Sequence, residues 1–178
     1  MPSSTPKHKK HLSVQEMVIF AFLGALMCVS DLLMEALPNI HLLGTFIAAF
    51  TLVYGIKALY PIYIYVVLIG LFSGFDLWWL PYLYIFTVLW ALIMLTRPLP
   101  FKARAVLSHA LSVLHGLSFG ILYAPAQALM WGLDYRGMLA WIAAGMSFDI
   151  THAIGNFVLG FLICPLVHLL SLLQKKRQ

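Results

Sequence analysis

The stretch SFDITHAIGNF, residues 147 to 157, sets an acid, an imidazole and a carboxamide inside an otherwise apolar segment. On a helix turning ~100° per residue, Asp149, His152 and Asn156 fall within an arc of roughly 60°. One face then carries a carboxylate acceptor, a ring nitrogen that titrates near neutral pH and an amide that both donates and accepts. Such a face suits reversible capture of a polar solute, or acid–base work by the Asp/His pair. It also suits a reading without chemistry, in which the three groups hydrogen-bond between helices and fix packing.

The elements that position this face follow from composition. The chain has 178 residues, 62% hydrophobic and 10% charged, too few polar side chains to cover a water-exposed surface. An all-α integral membrane protein is the reading that remains. The polar, basic start MPSSTPKHKKH precedes an apolar run longer than 20 residues without a small-residue cleavage site, which reads as a retained spanning helix and not as a secretory signal. Cys28 and Cys164 lie within apolar runs, too few and too deep for a disulfide scaffold or a cysteine zinc site.

A bilayer core of ~30 Å asks for about 20 apolar residues per helix. Six runs answer, near 14–36, 40–56, 58–75, 80–96, 103–131 and 138–173. Pro125 is expected to kink the fifth, and GMLAWIAAG is expected to form a short surface helix ahead of a sixth span that starts near Ser147. The resulting division is a basic tail over 1–12, one six-helix membrane domain over 13–173 and a basic tail over 174–178.

With six spans both termini share a side, and every Lys and Arg except Arg136 falls on it. The positive-inside rule makes that side cytoplasmic, so the expected location is the cell membrane, multi-pass. Asp31, Glu35, Asp76, Asp134 and Asp149 map to the outer half, whereas Glu16 opens the first helix, where the helix dipole favours a carboxylate. The net charge of +5 is therefore topological. The basic groups are scattered over short turns, which gives nucleic acid no face to bind.

An ionisable residue at membrane depth costs several kcal/mol unless it faces protein or water. Further polar and aromatic groups converge on the outer level: Glu35, Asn39 and His41 at the first outer turn, Asp76, Trp79 and neighbouring aromatics at the second, and Tyr123, Gln127, Trp131 and Trp141 around the third. Asp149, His152 and Asn156 are thus the expected centre of a substrate pocket, with Glu35, Asn39, Asp76, Trp79, Tyr123 and Gln127 as contributors. A small heteroaromatic solute with hydrogen-bond donors would suit them. On the first helix, Ala21, Gly24, Ala25 and Cys28 make a smooth seam at helical spacing, fit for close packing within the chain or for docking a partner helix.

No GxxxxGK[ST] phosphate loop, GxSxG elbow or HExxH zinc pair occurs. His109 and His115, six residues apart, point to different helix faces and read as hydrogen-bonded helix residues. No catalytic residue, metal site or cofactor is expected.

Six short spans, cytoplasmic termini, an A-x-x-x-A strip and polar, aromatic outer loops such as LPNIHL and LFSGFDLWWLPYLY together resemble the substrate-binding S component of energy-coupling factor transporters. The resemblance implies capture of a vitamin or related micronutrient at an outer-facing site. It also implies delivery through a transmembrane coupling protein and two ATP-binding subunits, with Ala21 and Ala25 on the docking surface and Gly24 between them. The phosphate loop that the chain lacks would then reside on a separate subunit. A small intramembrane enzyme using Asp149 and His152, or a structural membrane protein, are the alternatives.

Overall fold

The computed structural model describes residues 12–175, so the tail residues 1–11 and 176–178, with Lys7, Lys9, Lys10, Lys176 and Arg177, lie outside it. All regular structure among the described residues is helical: α1 (Val14–Leu33), α2 (Leu43–Tyr54), α3 (Leu59–Ser73), α4 (Tyr82–Leu95), α5 (Phe101–Leu117), α6 (Phe119–Trp131), α7 (Tyr135–Leu159) and α8 (Ile163–Lys175). Val14–Leu33, Leu43–Ser73, Leu77–Leu95 and Tyr135–Lys175 are long and apolar enough to cross a membrane. The pair α5 and α6, bent by 41°, makes a fifth if counted as one span.

Local chemistry sets the ends. Ser13 caps α1 by accepting the Glu16 N–H, and the Glu16 carboxylate accepts the Ser13 N–H in return, which satisfies two donors that the first turn leaves free. Glu16 also forms an ion pair with Lys57 at 2.5 Å, tying the start of α1 to the short 3-10 turn Gly55–Ala58. Gly55 adopts φ +59°, a conformation open mainly to glycine, and there α2 gives way to the 3-10 turn. Trp90 on α4 donates to the Gly55 carbonyl, and Arg97 lies beside Gly55, so this is the basic end of the bundle. At the other end Asp31 accepts from Tyr65 and Tyr84 donates to the Leu122 carbonyl. The segments 34–42, 74–81 and the α6–α7 hairpin gather at this acidic end.

α1 and α3 run alongside one another, and Gly24 lies at their crossing. A Cβ there would stand 2.5 Å from Ile64 Cγ2 and 2.9 Å from the Pro61 carbonyl, so the absence of a side chain is what lets the helices touch. Cys28 is buried on the same face, Ala21 is exposed and Ala25 is partly exposed. The small-residue seam thus divides, with Gly24 and Cys28 turned into the chain and Ala21 turned out.

α7 shows the polarity of the whole most plainly. Asp149, His152, Ala153 and Asn156 are buried, while Ile150, Ile154 and Phe157 on the opposite face are about half exposed. A helix with polar groups inward and large apolar groups outward suits a lipid surround, not water.

Two expectations need correction. The fifth segment breaks at Ser118, between α5 and α6, and Pro125 sits inside α6. GMLAWIAAG is no separate surface helix but the first half of α7, which runs unbroken for 25 residues from the Asp134 cap, where the carboxylate accepts the Gly137 N–H. The break that does occur here is the 3-10 turn Gly160–Leu162. Pro165 explains it, since a proline lacks an N–H and crowds the carbonyl four residues back.

Candidate solute-binding site

A cavity of about 570 Å³ opens at the acidic end, within the size range of small-molecule sites. Its aromatic wall comprises Trp78, Phe119, Tyr123, Trp131, Trp141 and Phe148, and its polar groups are Asn39, Asp76, Gln127 and Asp149. Five of the nine predicted substrate residues therefore come together here: Asn39, Asp76, Tyr123, Gln127 and Asp149. Tyr123 and Trp141 stack across the α6–α7 hairpin, ring centroids 5.7 Å apart and planes 18° from parallel. The Tyr123 hydroxyl donates to the Trp78 carbonyl at 2.7 Å, which ties the 74–81 segment to α6. Asn39 holds a left-handed backbone, φ +59°, which asparagine tolerates better than most residues.

Asp149 has a structural reason to be where it is. At the Ser118 break the Gly120 N–H leaves the helical ladder, and both Asp149 oxygens accept it at 3.0 and 3.1 Å. An unpaired N–H at this depth would be costly. A Cβ on Gly120 would stand 2.5 Å from Asp149 Oδ2, so glycine is what permits the approach. One carboxylate thus braces the bent helix and faces the cavity.

His152 and Asn156 lie below the cavity and do not line it. His152 meets the His41 ring edge-on at 4.6 Å and the Phe119 ring at 5.1 Å. Burial holds the His41 imidazole below its ordinary pKa, opposed in part by the negative charge of Asp31. No hydrogen bond joins Asp149 to His152 among the described residues, so the pair lacks the contact that acid–base partnership uses. Asn156 donates through Nδ2 to the Ser112 carbonyl at 2.8 Å and sits between Gly44 of α2 and Gly116 of α5. It is an interhelical clamp. His109 and His115 donate through Nε2 to the carbonyls of Phe157 and Ile85, as helix-packing residues.

Glu35 faces a second cavity of about 390 Å³, with Asp31, Ser73 and Tyr82. Trp78 belongs to the walls of both cavities. Trp79 lines neither: its indole N–H donates to the Val66 carbonyl at 2.7 Å, and its ring meets Phe75 edge-on over Gly70.

Phe119, Gly120, Phe148 and the placement of Trp78 were not evident as site features in the sequence. Gly116 and Gly120 flanking Ser118 were the available signal for a break in α5–α6, and a break exposes a backbone donor that some acceptor must meet. No serine, cysteine, histidine, lysine or arginine lines the larger cavity among the described residues. The walls offer ring faces that can stack and carboxylate, amide and hydroxyl groups that can orient a small molecule by hydrogen bonds. No three His, Cys, Asp or Glu side chains among the described residues are grouped to hold a metal ion. Compared with known protein families, curated proteins and solved structures, the chain matches none.

Proposed function

We propose that the chain is the substrate-binding subunit of an importer of the energy-coupling factor type, which captures a vitamin-like solute and passes it to a coupling protein driven by two ATP-binding subunits. The observation that carries this reading is the aromatic and acidic cavity at the end opposite Lys57 and Arg97. In the cell membrane α1, α2, α3, α4, the α5–α6 pair and the α7–α8 pair make six crossings, with both termini cytoplasmic by the positive-inside rule and the cavity facing out. α2 and α3, with 12 and 15 residues, are short for a ~30 Å core and would need local thinning or the adjoining turns to span it. The exposure of Ala21 and partial exposure of Ala25 support a docking strip, narrower than Ala21, Gly24 and Ala25 together because Gly24 is turned inward.

Affinity purification of the full chain from native membranes tests the assembly. A membrane-embedded partner and ATP-hydrolysing subunits are expected to come with it, and Ala21→Trp with Ala25→Trp is expected to cut their recovery at least about tenfold, since small-to-large changes in a close contact typically cost about 1–3 kcal/mol and 1.4 kcal/mol is about tenfold. Solute uptake by the chain alone, unaffected by ATP depletion, would contradict the proposal.

A further inference from the structure

We infer that the solute is an organic cation, an aromatic or heteroaromatic ring bearing positive charge, held between the Trp and Tyr faces and the carboxylates of the acidic end. This rests on the reading of the larger cavity as a solute site and adds the class of solute. Asp76 and Asp149 line that cavity, and Asp31 and Glu35 line its neighbour across Trp78. None of the four meets a basic side chain: among the described residues the one ion pair is Glu16–Lys57 at the far end. Arg136, the lone cation predicted on this side, is exposed and lines neither cavity.

Asp149 makes the point strongest. The residue is 8% exposed, and its two oxygens share the single N–H of Gly120, which leaves lone pairs on the cavity side without a donor. A buried carboxylate lacking a counter-charge is costly, and a cation brought by the ligand removes that cost. The surrounding rings present faces of negative potential, which attract a cation and repel an anion. A carboxylate or phosphate on the solute would meet like charge from both cavities.

The test uses the full chain in lipid nanodiscs and equilibrium dialysis with three probes of matched shape: naphthylmethylammonium, naphthalenemethanol and naphthoate. The ammonium probe is expected to bind at least about tenfold more tightly than the alcohol, and naphthoate more weakly than either. Asp76→Asn with Asp149→Asn is expected to bring the ammonium probe within about threefold of the alcohol, because the charge goes while the amide oxygens still accept the Leu77 and Gly120 N–H groups. Equal binding of ammonium and alcohol probes, tighter binding of naphthoate, or a preference that survives the double substitution would overturn the cation assignment and leave a solute site standing. Failure of all three probes to bind would remove the site itself, and the cation assignment with it.

Discussion

Gly116→Val is expected to destabilise the bundle by about 3 kcal/mol, at the upper end of what overpacking costs. A Cβ at Gly116 would stand 2.7 Å from Asn156 Nδ2, and 3.1 Å from both the Ala153 nitrogen and the His152 carbonyl carbon. Two of these three neighbours are α7 backbone, which cannot swing aside. On its other side Asn156 already packs against Gly44 of α2, so closely that a Cβ there would meet its Oδ1 at 2.9 Å. The α5–α7 contact must therefore open, and with it the Asn156–Ser112 hydrogen bond. Gly116→Ala should also lose stability despite a gain of about 1 kcal/mol in helix propensity. Detergent-driven unfolding followed by near-UV circular dichroism measures both, and unchanged stability would mean that α5 and α7 do not meet at Asn156.

The second large effect concerns Tyr123. Its ring stacks on Trp141 and its hydroxyl holds Trp78, so Tyr123→Ala removes a stacking wall and releases the 74–81 segment in one step. Adding an aromatic pair of about 1 kcal/mol to a hydrogen bond of about 1 kcal/mol gives an expected loss of roughly thirtyfold in solute affinity. Tyr123→Phe keeps the ring and should lose about fivefold. Equal losses for the two variants would assign the effect to the hydroxyl alone, and no loss in either would place the solute elsewhere.

Much of the architecture was legible because hydropathy and charge report on lipid and on membrane side. All eight helices fall essentially within the six apolar runs, and Arg97 lies beside Gly55, two residues from Lys57. What escaped reading depends on contacts distant in sequence. Asp149, His152 and Asn156 do share a buried face, but periodicity says nothing of depth along it. The 149 level meets the cavity, the 152 level meets His41 and Phe119, and the 156 level meets two glycines. Trp79 was indistinguishable from Trp78 by composition, and only the 3-10 turn Leu77–Trp79 sends one to the cavity and the other to Val66. The Ser13–Glu16 capping box is local to SVQE and needs no tertiary contact, but from the sequence only the helix dipole argued for Glu16 there.

The central claim is that the 570 Å³ cavity exists to be filled by a solute, and Gly145 allows a direct test. It lines the cavity, and a Cβ built there meets nothing within 4 Å, so Gly145→Phe should fill the space while leaving the packed core intact. The decisive measurement is mass spectrometry of solute released on denaturing the purified protein. About one solute per chain from the wild type and essentially none from equally stable Gly145→Phe is the expected result. Undiminished release from Gly145→Phe, or none from the wild type grown in rich medium, would contradict the account.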